Sequence, residues 1–398
     1  MTSDSAPTTA TARSASVDLA ALLPAAQQRL PQMLEDIERL ISLETPSSDL
    51  DAVAAGARDV AALLTERLGA TPEILTIDDV THVRLRFGDG PPAVVLVNHQ
   101  DTVWPHGTLE SIPFSHEDGV IRGPGSFDML TGVVMSIHAA AMLLDQSGPE
   151  AVDGLSILVT GDEEVGSATG APLLRAEAAQ ARAAFVMEAA AGPAGALKLA
   201  RKGTSMYTVV LHGRASHAGL DPEKGVNAGL ELSHQMIAVA ALADPAVGTT
   251  VTPTVFSGGT TTNTVPAQAR FDVDVRAKTQ EELERVDTAI RALTPVLEGA
   301  SIEILGDINR PPMEREMAEG LFDRAGELAQ AVGVDAPTGV EVGGASDGNY
   351  TAGDGIPTLD GLGAVGDGAH ADHEHALSAH IAPRTALLAA LIADQLAG

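Results

Sequence analysis

"AVVLVNHQDTVWP", Ala93 to Pro105, climbs through five apolar residues and then breaks into Asn98, His99, Gln100, Asp101 and Thr102. So short and unbroken an apolar run predicts a strand covered on both faces, as the strands of a parallel sheet are. Two more runs end the same way. "LSILVT" (Leu155–Thr160) leads into Asp162, Glu163 and Glu164, and "AAFVM" (Ala183–Met187) leads into Glu188. A fourth carboxylate, Asp128 in "GPGSFDML", follows a Gly-rich turn and opens a helical stretch from Leu130 to Gly148. Ligand sites in parallel sheets form outside the carboxyl ends of the strands. These groups are therefore expected to meet in one crevice.

Around that centre, strands alternate with helices. Helical periodicity covers Leu19–Leu43, with expected interruptions at Pro24 and Pro31, and also Leu50–Leu68. The alternation predicts an α/β protein with a doubly wound, mostly parallel sheet. Near Lys198 the texture changes to the order β-α-β-β-α-β of a ferredoxin-like α+β unit. The α/β texture returns after Asn309. The expected layout is a disordered tail over 1–16, one domain from 17–195 and 307–398, and a unit inserted over 196–306.

The 398 residues allow two cores. A net charge of −30 argues against nucleic acid and against anionic membrane surfaces as partners. The amino terminus has no basic start followed by an apolar core, so the expected location is cytoplasmic. With no cysteine, any metal must be held by nitrogen and oxygen.

His and several carboxylates without Cys suit Zn²⁺, Mn²⁺ or Co²⁺ at a hydrolytic site. The candidates exceed the needs of one ion and fit two metals about 3.5–4 Å apart, bridged by a carboxylate and a water. Adjacent Glu163 and Glu164 point opposite ways if extended, so one can bind metal while the other acts as a base. Asp101 lies two residues after His99, on the same side of an extended chain, and can accept a hydrogen bond from its imidazole. Each pair alone also reads as an ordinary strand-end turn, and "HADHEHALSAH" alone as a His-rich loop. Their shared placement after strands, or at the start of a helix, is harder to dismiss.

The chain resembles the M20 family of dizinc metallopeptidases, and within it the glutamate carboxypeptidase-like branch. The resemblance is carried in order by "VNHQDTVWPHGTL", "GPGSFDML", "VTGDEEVGS", "VMEA", "GRASHAG", "GGASDGN" and "GAHADHEHA". It implies that Asp128 bridges two zinc ions. His99 and Glu188 would complete one metal, Glu164 and His370 the other. Glu163 would be the general base and Asp101 the partner of His99. A cis peptide bond after Asp128 is implied as well. The inserted unit resembles the family's lid and dimerisation domain, which implies a homodimer in which His217 reaches the partner's site. Asn263 and Arg276 match lid positions that contact the carboxylate side of the substrate. Arg310 is a further carboxylate-binding candidate, with a hinge role as the alternative. One departure is Leu130, where relatives usually carry Lys. Trp104 reads as simple packing near the sheet edge.

The resulting expectation is a dizinc carboxypeptidase that cleaves an amide beside a free carboxylate in a small peptide. Two alternatives stand beside it. One is an N-acyl amino acid deacylase with the same metals. The other is a non-catalytic, metal-dependent carboxylate-binding protein, which the intact Glu163 argues against.

Overall fold

The computed structural model describes residues 17–398, and the tail expected over residues 1–16 lies outside the described residues. Helix α1 (Leu19–Ile41) runs through Pro24 and Pro31 without the expected interruptions. Each proline costs a bond to the carbonyl four residues back, at Ala20 and Gln27. Both prolines and both of those residues are exposed, so water can serve the freed carbonyls.

The chain continues through α2 (Leu50–Leu68), β1 (Glu73–Ile77), β2 (Val80–Arg86) and β3 (Val94–His99). A single turn α3 (Thr108–Ser111) and a hairpin, β4 (Ser115–Glu117) and β5 (Val120–Arg122), come next. Then follow α4 (Leu130–Ser147), β6 (Leu155–Thr160), α5 (Gly170–Ala178), β7 (Ala183–Val186) and β8 (Leu197–Arg201). The main sheet has the order β1-β2-β6-β3-β7, closed by the later strand β14 (Thr358–Leu359). Strands β6, β3, β7 and β14 run parallel, while β1 and β2 form an antiparallel edge.

Side-chain alternation explains why this sheet is covered on both faces. Val94 and Leu96 of β3 join the large core that includes residues of α1, α2 and α4, while Val95 and Val97 join a second core with Leu174 of α5. Phe185 and Val186 of β7 divide in the same way. Apolar residues on both faces are the mark of a strand with helices above and below. Helix α4 is buried on every side from Leu130 to Leu143, which suits its uniformly apolar sequence.

Residues 203–310 build a separate antiparallel sheet from β9 (Gly203–His212), α6 (Ala228–Ala240), β10 (Thr250–Gly258), β11 (Gln268–Ala277), α7 (Gln280–Arg291) and β12 (Ser301–Arg310). Its strand order is β10-β11-β9-β12, with β10 and β12 at the edges. Its own core gathers Tyr207, Val209, Leu211, Phe271, Val273 and Val275 against Leu283, Val286 and Ile290 of α7. The chain then returns to the main sheet through α8 (Glu316–Val332), β13 (Gly339–Val342), α9 (Gly348–Gly353) and β14. It closes with β15 (Gly366–Asp367), β16 (His375–Leu377) and α10 (Ile381–Ala397). Strand β16 pairs with β5, which brings the His-rich segment beside the Gly-rich turn. No helix among the described residues is long and apolar enough to cross a membrane.

Candidate metal centre

Strand register assembles the site. β3 pairs with β6 so that His99 lies opposite Thr160, and with β7 so that Val97 lies opposite Val186. The Met187 N–H continues the ladder to the Val97 carbonyl at 3.0 Å. Glu188 therefore emerges beside His99, on the sheet face of Val95 and Val97. Its Oε1 is 3.5 Å from His99 Nε2. Helix α4 crosses at the same level, and Gly132 makes this possible, because a Cβ there would sit 2.1 Å from the Met187 carbonyl oxygen. The turn before α4 delivers Asp128, and the Asp128–Met129 peptide bond is cis.

Asp128 stands between two imidazoles. Its Oδ1 is 3.3 Å from His99 Nε2 and its Oδ2 is 3.5 Å from His370 Nε2. His370 Nε2 is also 3.1 Å from Glu164 Oε2. Glu163 and Glu164 are expected to point opposite ways if the chain there is extended. They lie instead on a short 3₁₀ turn, where successive side chains also diverge. Glu164 turns to His370, and Glu163 turns to Arg310, whose Nη1 is 2.9 Å from its Oε1. Glu163 stays close enough to His99 and Glu188 for ligand atoms of all three to lie within 4.8 Å of one another. The same holds for His99, Asp128 and Glu164.

Asp101 supports the site differently from expectation. His99 Nδ1 lies 3.0 Å from the Asp101 backbone carbonyl, while the nearest carboxylate oxygen is 3.5 Å away. That carboxylate accepts the N–H groups of Glu163 and Glu164 and the hydroxyl of Ser47. Asp101 thus fixes the 3₁₀ turn as well as the histidine.

The donor set fits a divalent cation. His99 Nε2, Asp128 Oδ1 and Glu164 Oε1 are buried with no hydrogen-bond partner. Orphaned buried polar atoms are costly, and three of them in one cluster call for a shared ligand. Charge balance agrees. Burial disfavours a charged His99, yet Asp101, Asp128 and Glu188 together hold its imidazole well above the usual range. Asp128 and Glu164 push His370 up to about 10. Burial, opposed by Arg310 and reinforced by Asp347 and Glu188, raises Glu163 well above the usual carboxyl range. A bound cation would supply positive charge at the same place and would displace any proton from these imidazoles.

The remaining candidates lie elsewhere. His217 is on an exposed loop of the second sheet, where its Nδ1 accepts the N–H groups of Gly219 and Leu220. Asn263 is its neighbour, since its carbonyl accepts the Ala218 N–H. Arg276 lies on β11, with its guanidinium on Asp274. None of these contacts reaches the cluster. Arg310 does reach it, with its fork held by Glu163, Ser167, Asp347 and Tyr350.

Three residues with no role in the sequence reading join the site. Arg201 grips Asp360 through Nε and Nη2 at 2.7 and 3.0 Å, and its Nη2 is 3.5 Å from Glu188 Oε2. Lys198 Nζ lies 3.8 Å from the same oxygen. Asp360 directly follows the short strand β14, so the rule that singled out the other strand ends applies to it too. Trp104 does more than pack, because its Nε1–H donates to Glu374 at 2.6 Å.

Residues 95–394 match the model of peptidase family M20/M25/M40. Carboxypeptidase G2 of Pseudomonas sp. (strain RS-16) is 30% identical over 386 residues, covering 95% of this chain and 92% of that protein. The succinyl-diaminopimelate desuccinylase of Methylorubrum extorquens (strain PA1) is 26% identical, covering 78% of this chain and 84% of that protein. Among solved structures, an aminopeptidase from Bacillus cereus ATCC 10987 shares the fold with a TM-score of 0.71 at 22% identity, covering 93% of this chain and 99% of that one. An M20 family metallo-carboxypeptidase from Sulfolobus solfataricus does so with a TM-score of 0.70 at 14% identity, covering 92% and 100%.

Proposed function

The chain belongs to the M20/M25/M40 peptidase family and is a metal-dependent hydrolase, and from that premise we propose a dizinc carboxypeptidase acting on small peptides. The observation that carries the two-metal reading is Asp128, with one oxygen turned to His99 and the other to His370. In this reading His99, Asp128 and Glu188 hold one ion, and Asp128, Glu164 and His370 hold the other. Zinc is the proposed metal, with cobalt or manganese as substitutes. The similarity to carboxypeptidase G2 supports cleavage beside a free carboxylate. We assign residues 17–195 and 307–398, together with strand β8 that carries Lys198 and Arg201, to catalysis, and the remainder of residues 196–306 to a lid.

Bound ions would supply Lewis acidity and a more acidic water. The chain's own residues do the rest. Glu163 takes the proton of the attacking water and passes it to the leaving nitrogen. Burial raises its pKa, the direction that suits a group which must both take a proton and return it. Arg310 and the backbone N–H bonded to Asp101 hold Glu163 beside His99 and Glu188, where the attacking water would be activated. Arg276 and Asn263 meet the substrate carboxylate, where an Arg fork is well suited.

The proposal includes a homodimer in which His217 of a second copy donates to the developing oxyanion. Edge strand β10 exposes Val255 and Phe256, and helix α6 exposes Leu230 and Ile237 on one stripe, which supports pairing through this unit.

The test is hydrolysis of a panel of dipeptides and N-acyl amino acids by metal-stripped protein, before and after Zn²⁺, Co²⁺ or Mn²⁺. Metal-dependent release of a carboxy-terminal amino acid from dipeptides is the expected result. Release from acyl amino acids alone moves the reading to a deacylase, which the likeness to the desuccinylase favours. Light scattering reads the dimer, and Phe256→Asp is expected to give monomers.

A further inference from the structure

We propose that Glu374 is the positioning residue that locks three ligand-bearing segments into one arrangement, with the Trp104 indole as its partner; the proposal rests on the metal-centre reading above. Glu374 is 1% exposed and contacts none of the orphaned donor atoms. Its carboxylate instead collects four N–H donors. Oε1 accepts from the backbone of Phe127 at 2.9 Å and of Asp128 at 3.1 Å. Oε2 accepts from the Gly125 backbone at 3.1 Å and from Trp104 Nε1 at 2.6 Å. A carboxylate offers about four lone-pair sites, so this one is saturated.

The donors belong to different segments. Trp104 follows the strand end that carries His99 and Asp101. Gly125, Phe127 and Asp128 form the turn that delivers the central carboxylate. Glu374 itself sits four residues after His370, and its own N–H closes that turn on the Ala371 carbonyl at 2.8 Å. His370 is held at φ 61° there, and Gly368 at φ 84° packs against the Glu374 backbone, 2.9 Å from where its Cβ would be. One buried anion therefore joins the segments bearing His99, Asp128 and His370. The short separations between Asp128 and its two histidines follow from that junction. Groups that orient metal ligands typically alter affinity about 10–100-fold when removed.

Trp104 makes the proposal directly readable, because it is the chain's single tryptophan. The experiment titrates metal-stripped protein with Zn²⁺ while following Trp emission, and counts bound zinc after dialysis. The parent is expected to show a saturable emission change that tracks zinc uptake. In Glu374→Gln the amide keeps one acceptor oxygen but turns its NH₂ toward backbone donors. It is expected to bind zinc about 10–100-fold more weakly, with the circular dichroism of the metal-free protein unchanged. Trp104→Phe, which removes one donor of four, is expected to fall between parent and Glu374→Gln. Parental zinc affinity in Glu374→Gln overturns the proposal. If that variant does not fold, parental affinity in Trp104→Phe together with a zinc-silent parent emission overturns it instead. A parent that takes up no metal overturns the metal-centre reading, and this proposal with it.

Discussion

Arg310 Nη1 lies 2.9 Å from Glu163 Oε1, and both side chains are buried. The same guanidinium stacks on Tyr350 with 5.5 Å to the ring centroid and bonds the Glu163 carbonyl and the Ser167 hydroxyl. It is thus a brace for the turn that carries Glu163 and Glu164. Arg310→Lys keeps the charge and loses the fork, and is expected to lower kcat about tenfold or more. Arg310→Met leaves Glu163 and Asp347 without their cation. Breaking a buried pair from one side costs about 3–5 kcal/mol, so a large drop in Tm is expected. Steady-state rates and thermal melts of the two variants check this, and parental values for Arg310→Met would remove the brace from the argument.

The roles proposed for the neighbours Glu163 and Glu164 can be separated by experiment. Glu163→Gln is expected to cut kcat by about 10²–10⁴-fold with bound metal unchanged, the size of effect that general acid–base catalysis supplies. Glu164→Gln weakens the grip at His370 and is expected to lose metal as well as activity. Metal content by atomic emission, measured beside kcat, separates the two. Equal metal loss in both variants would make Glu163 a ligand rather than a base.

The difference between local and long-range information explains what the sequence disclosed. Strand ends such as Val97–His99 and Val186–Glu188 are written in short apolar runs, and parallel pairing then aligns them without further instruction. The β-α-β-β-α-β order of residues 203–310 is readable for the same reason. Arg201, Asp360 and Glu374 act across sequence gaps of more than a hundred residues, and no period or spacing marks such a pair. Pro24 and Pro31 misled in the opposite way, because a proline's local rule yields when its orphaned carbonyl faces water. Asp101 was legible as a supporter of His99, but its bonds to the Glu163 and Glu164 N–H groups depend on a turn that comes 62 and 63 residues later in the chain.

Gly132 lets α4 touch the strand that delivers Glu188. A Cβ there would lie 2.1 Å from the Met187 carbonyl oxygen, and a backbone atom cannot swing aside as a side chain can. Gly132→Ala must push α4 and β7 apart, and overpacking of this kind typically costs about 1–3 kcal/mol. Asp128 precedes the helix and Glu188 follows the strand, so the spacing of these two carboxylates changes with it. The expected outcome is a lower Tm together with weaker zinc binding. A variant that is destabilised but binds zinc as the parent does would confine the effect to the core.

His138 is expected to give the fold a pH dependence from outside the metal centre. It is fully buried on α4, and its Nε2 lies 2.8 Å from Asp36 Oδ2. Arg67 holds the same carboxylate at 2.6 Å, so Asp36 already has its cation. Burial, opposed by Asp36, holds the His138 pKa below the usual histidine range, which favours a neutral imidazole donating to Asp36. In the unfolded chain the same group titrates near 6.5. At this group the unfolded state therefore binds more protons below that pH, and the contribution of His138 to stability must fall as pH drops from 6.5 toward the depressed folded value. The slope approaches about 1.4 kcal/mol per pH unit where the unfolded imidazole is protonated and the folded one is not. His138→Gln retains a donor for Asp36 and cannot titrate. Denaturant unfolding of metal-free protein between pH 5 and pH 7 is expected to show the parent losing stability relative to His138→Gln as the pH falls, because the titrations near the metal centre are common to both. Identical slopes would mean that His138 keeps its ordinary pKa in the fold.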